Sequence, residues 1–137
     1  MNDSLKTPLA VTGRVLLALI FIMSGVGKLS DVGGTAGYIA SVGLPAASVL
    51  ALGAGLLEVV AGVALAVGFK ARWAALALGV FTLVAAVIFH RYWAMPAEQQ
   101  FVQQLLFMKN LAIAGGMFIV ASLGAGSGSV DARLARA

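Results

Sequence analysis

Glu58, Lys109, Lys28 and His90 are the residues of this sequence best suited to bind, polarise or move protons, and each stands within or at the edge of a long apolar run. A charge at the centre of a bilayer costs roughly 2.5 to 3.5 kcal/mol on insertion scales, so each one needs a partner, a cavity or a function. Glu58 is the one charge between residues 46 and 69. Its neighbours at helical spacings of three and four are Gly55 and Gly62, with Ala51 a turn further on. The carboxylate therefore lies on a stripe of small residues, which admits a neighbouring helix and turns Glu58 into a bundle.

The same pattern recurs on the other apolar runs. Arg14, Ala18, Phe21, Gly25 and Lys28 share one helical face, and Gly79, Thr82, Ala86 and His90 share another. On the last run Gln103, Phe107, Asn110, Ala114 and Met117 align, with Lys109 adjoining. At about 1.5 Å per residue, Lys28, Glu58, His90 and Lys109 are expected to converge in the outer half of one bundle, with Lys109 reaching toward Glu58. The competing reading is structural: Lys28 and His90 snorkel to the interface, and Glu58 with Lys109 forms a buried ion pair that fixes helix register.

The elements that must position these groups follow from composition. A chain of 137 residues that is 61% hydrophobic and 10% charged, with mean hydropathy +1.03, carries more apolar surface than a soluble core of its length encloses. The runs are long enough to cross roughly 30 Å of hydrocarbon as helices. The expected fold is all-α: a single-domain integral membrane four-helix bundle with spans at about 9–29, 46–69, 73–90 and 101–123. The first run is too long, and too charged at both ends, for a cleaved signal peptide. The glycine-rich stretch 30–45 reads as a loop or short surface helix, residues 70–72 as a tight hairpin, and 124–137 as a flexible cytoplasmic tail.

Lys6, Arg14, Lys70, Arg72, Arg133 and Arg136 fall on one side of the membrane, against Lys28 and Arg91 on the other, with Lys109 deeper. The positive-inside bias then places both termini in the cytoplasm. The net charge of +4 reads as topology signals and lipid contacts, with the bilayer and not nucleic acid as partner. The absence of Cys leaves the chain no disulfide, thiol relay or iron–sulfur cluster of its own. Haem is disfavoured by the single histidine, a tightly held dinucleotide by the lack of a phosphate-binding glycine loop, and a metal on His90 and Glu58 by their difference in depth.

Several stretches together carry a family resemblance. They are Arg14 with the run to Ser24-Gly25-Val26-Gly27-Lys28-Leu29, then Gly43-Leu44-Pro45, then Leu57-Glu58 with Gly62 and Gly68. His90 with Tyr92-Trp93, and Phe107-Met108-Lys109-Asn110-Leu111 with Gly115-Gly116, complete the set. In their order and spacing the chain resembles the DoxX family of small four-helix membrane proteins, over nearly its whole length. The resemblance implies association with membrane-bound oxidoreductase complexes and with quinone chemistry.

The expected function is thus that of a membrane subunit of a quinone-linked oxidoreductase system in the bacterial inner membrane. Such a subunit would meet redox protein partners and bind a quinone, with no covalently bound cofactor. In that reading His90, Lys28 and Lys109 donate to the quinone carbonyls and Glu58 relays protons. Phe89, Trp93 and Phe107 flank the ring, and Arg14 and Asn110 add polar contacts from the same inward stripes. Two further readings stay open, a non-catalytic anchor for a soluble redox enzyme and a small-anion carrier. The glycine-rich faces allow packing within the bundle or between copies of the chain.

Overall fold

The computed structural model describes residues 3–137. Four helices are long and apolar enough to cross a membrane: α1 (Asp3–Ser30), α3 (Ala47–Val67), α4 (Ala71–Phe89) and α5 (Ala97–Leu123). The glycine-rich stretch after the first span forms the short helix α2 (Val32–Ser41), and α6 (Val130–Leu134) lies in the C-terminal segment. Each expected span is present, though α1 and α5 begin several residues before the apolar runs do. A helix is limited by where its backbone groups find partners, not by where hydropathy begins.

Turn chemistry sets the boundaries. The Asp31 side chain accepts from the Gly34 N–H at 2.8 Å and starts α2. Gly68, at φ 74°, ends α3 in the left-handed conformation that glycine adopts without steric penalty. Lys70 is left-handed as well, at φ 45°, so α3 reverses into α4 within three residues. Pro96 opens α5, which follows a single 3-10 turn at Tyr92–Ala94.

The helices pack mainly as two pairs, α1 along α3 and α4 along α5, joined through the α3–α4 hairpin; α2 lies against α3. The core holds Ala18, Phe21, Leu65, Leu78 and Met117, with alanines between them. Small residues predominate because lipid supplies no hydrophobic drive between helices, and close contact is what holds them together. Most large apolar side chains, Leu16, Met23, Val60 and Ile119 among them, instead face outward where the hydrocarbon lies.

The segment expected to be a flexible tail is folded against the end of the bundle that bears the termini. Asp131 accepts from the Lys70 and Ala71 backbone N–H groups at 2.7 and 2.9 Å, and its own N–H donates to the Gly68 carbonyl at 2.9 Å. Thr7 and Ser127 share a hydrogen bond of 2.6 Å. Composition alone reads Gly124 to Ser129 as a linker; what orders it is the row of unpaired N–H groups at the start of α4 and the guanidinium of Arg14.

Candidate functional site

The inward stripes stand as the helical periodicity predicts. Ala51, Gly55, Glu58 and Gly62 are all buried on α3, as are Arg14, Ala18, Phe21 and Gly25 on α1 and Gly79, Thr82 and Ala86 on α4. Where α1 crosses α3, both helices carry glycine. A Cβ on Gly25 would come within 2.8 Å of the Gly55 carbonyl oxygen and 2.9 Å of the Glu58 Cβ. The near contact of these backbones brings the α1 side chain a turn further on within reach of Glu58.

That side chain is Lys28. Its ammonium donates to Glu58 Oε2 at 2.8 Å, to Oε1 at 3.0 Å and to the Ser24 hydroxyl at 2.6 Å, which occupies all three of its protons. Ser24 in turn donates to Glu58 Oε1 at 3.4 Å. The carboxylate is sealed, with 6% of its side chain exposed, while 27% of the Lys28 side chain remains accessible. Glu58 lies roughly 16 Å from the start of α3 and 13 Å from its end, so the pair is deep in the hydrocarbon zone. The result is a neutral, fully hydrogen-bonded cluster whose lysine side chain is partly open.

The expected pairing of Glu58 with Lys109 does not form. Lys109 is exposed, because α5 lies on α4 and not on α3, and the buried stripe through Ala114 and Met117 leaves it about 100° round the helix. Nor do four ionisable groups converge. His90 ends α4 roughly 15 Å nearer the distal surface than Glu58, and its Nδ1 is hydrogen-bonded to Gln103 Oε1 at 2.9 Å.

Arg14 lies at the opposite end, roughly 12 Å on the other side of Glu58. It is 3% exposed. Its nitrogens donate to the carbonyls of Ala66, Ala125 and Gly128 at 3.1, 2.5 and 3.1 Å. It is a clasp for the C-terminal segment and not a contact of the Lys28 site. The charge count along the chain places Arg14 at this end, with Lys70 and Arg72, but does not show which carbonyls it meets.

The ring residues expected at the site, Phe89, Trp93 and Phe107, gather at the distal end, away from the termini. Phe89 stacks on Tyr38 of α2, with centroids 5.3 Å apart. Tyr92, Trp93 and Phe107 form a mutual edge-on trio with centroids 5.1 to 5.7 Å apart. Asn110 is half-buried on the α5 stripe below Phe107. Ser24, Tyr38, Tyr92 and Gln103 enter these clusters beyond the residues expected at the site. Ser24 was detectable at a spacing of four from Lys28; Tyr38 and Gln103 are brought in from separate helices.

Comparison with known proteins places this arrangement in context. The DoxX family model matches residues 9–91. The chain is 36% identical over 125 residues to the inner membrane protein YphA of Escherichia coli, covering 91% of this chain and 89% of that one. To the inner membrane protein YqjF of the same organism it is 38% identical over 122 residues, 88% of each chain. It is also 26% identical over 130 residues to the ER-derived vesicles protein ERV29 of Saccharomyces cerevisiae, covering 95% of this chain and 35% of that protein. No solved structure matches the chain.

Proposed function

The chain belongs to the DoxX family, and on that premise we propose that it is the membrane subunit of a quinone-linked oxidoreductase system, holding a quinone or similar lipid-soluble carbonyl compound in its distal half. It is a multi-pass inner membrane protein. The excess of Lys and Arg at the end bearing the termini favours a cytoplasmic location for both. The observation that carries the proposal is the half-open ion pair, a lysine side chain 27% accessible backed by a sealed carboxylate deep in the apolar zone.

Such a pair suits a carbonyl ligand that takes up protons. Reduction of a quinone to its hydroquinone consumes two electrons and two protons, and the electrons come from the redox partner. Lys28 donates a hydrogen bond to the carbonyl by releasing Ser24. Glu58 is the counter-ion of the ammonium, and each of the two protons that pass from Lys28 to the ligand is replaced from water. His90, oriented by Gln103 at the distal surface, exchanges protons with water. Trp93, Phe107 and Phe89 offer ring faces at the same end of the bundle.

The test uses Trp93 as reporter. In a Trp73→Phe background, a short-chain quinone is expected to quench Trp93 fluorescence saturably, and Lys28→Met/Glu58→Met abolishes the saturable part while the protein stays folded. Linear, collisional quenching in both proteins overturns the proposal.

A second reading, the non-catalytic anchor, is favoured by the complete hydrogen-bonding of the pair and by the Gly25–Gly55 contact beneath it. On that reading Lys28 and Glu58 only set the register of α1 against α3. The double variant then changes abundance and melting temperature, with no ligand effect to lose.

A further inference from the structure

A second feature lies between α3 and α4, near the end that bears the termini. Ala61 and Ala74 are 9% and 8% exposed and form a floor with Ala64, while Leu56, Val60 and Trp73 stand 54%, 65% and 73% exposed as walls. Small residues beneath large ones leave an open trough of about 480 Å³. From Phe69 to Leu56 it runs roughly 20 Å along α3, against a leaflet depth of about 15 Å. An apolar trough of that length on a lipid-facing surface has the dimensions of one acyl chain.

Its mouth is charged. Lys70 lines the trough at the hairpin, with its ammonium 5.9 Å from the Phe69 ring centroid. No carboxylate lies within ion-pair distance of it among the described residues. Its backbone is held in place, since the left-handed Lys70 donates its N–H to Asp131 at 2.7 Å and Asp131 donates back to Gly68. Lys70 is therefore anchored by its main chain, with Asp131, while its ammonium has no ion pair. It sits at the height where a lipid phosphate meets the chain end of the trough, beside an interfacial tryptophan.

We propose that this trough binds an anionic phospholipid from the leaflet facing the termini, one acyl chain lying over Ala61, Ala64 and Ala74 and the phosphate paired with Lys70. A second hollow of about 420 Å³ lies between α1 and α5 at the same end, but its one cation, Arg14, already donates to three carbonyl oxygens; the unpaired Lys70 ammonium is what fits the α3–α4 trough to an anionic headgroup. At about 1 kcal/mol per lysine near an anionic surface, anionic lipid is enriched about fivefold here over zwitterionic lipid. The inference is independent of any quinone site.

Trp73 is the probe. The Trp93→Phe protein, which retains Trp73 as its one tryptophan, is placed in vesicles of phosphatidylcholine in which a minor fraction is either phosphatidylglycerol or phosphatidylcholine with brominated acyl chains. Brominated phosphatidylglycerol is expected to quench Trp73 more strongly at equal mole fraction. Lys70→Asn, which tolerates the left-handed backbone, removes the difference between the two lipids. Ala64→Leu, which fills the trough, lowers quenching by the anionic lipid while leaving Lys70 in place. Equal quenching by both lipids, selectivity that survives Lys70→Asn, or quenching indifferent to Ala64→Leu each overturns the proposal.

Discussion

Glu58 owes its place in the hydrocarbon to Lys28, and the two are an energetic unit. A buried pair of this kind contributes little net stability relative to apolar side chains of the same volume, but removing one member strands the other. Glu58→Gln is therefore expected to destabilise the protein toward the lower end of the roughly 3 to 5 kcal/mol typical of broken buried pairs, because 27% of the Lys28 side chain is already exposed. Lys28→Met/Glu58→Met should restore most of that loss. Thermal unfolding in detergent, followed by circular dichroism, compares the two; a double variant as unstable as the single one would mean that the pair contributes net stability to the α1–α3 contact.

At the scale of the elements, the C-terminal segment and the start of α4 complete each other. The Asp131 carboxylate takes up two amide protons of the first turn, where the helix dipole also favours negative charge. Asp131→Ala is expected to cost about 1 to 2 kcal/mol and to raise hydrogen exchange at the Lys70 and Ala71 amides. Unchanged exchange there would show that α4 starts without the cap. Arg14 closes the other side of this clasp by joining α1 to the end of α3 and to the C-terminal segment through carbonyl oxygens. Helix α5 is held chiefly by α4, so its outer face, including Leu105, Met108 and Lys109, is turned toward lipid.

For the molecule as a whole, that outward lysine sets the ease with which the last span enters the bilayer. Lys109 lies roughly 21 Å from the end of α5 at the termini side, in the distal half, a depth from which a lysine side chain is long enough to reach toward the surface. Lys109→Leu is expected to favour insertion of α5 by up to about 2.5 kcal/mol, read as the inserted fraction in a translocon assay. No gain would indicate that another chain or a bound molecule covers this lysine in the membrane.

Much of this architecture was legible in the chain itself. The spans, the small-residue stripe beneath Glu58 and the inward faces of α1, α3, α4 and α5 follow from hydropathy and a 3.6-residue period, which act locally and leave a direct trace in residue order. Which charge meets which was not legible. Depth along the chain pairs Glu58 with Lys109, but the contact fell to Lys28 when the Gly25–Gly55 approach paired α1 with α3 and left α5 to α4. Arg14 and residues 124–131 likewise meet at one end through bonds spanning more than a hundred positions. A side chain's period around its own helix is fixed by its neighbours in sequence, whereas its partner is fixed by which helices touch, and that is decided by packing between distant segments.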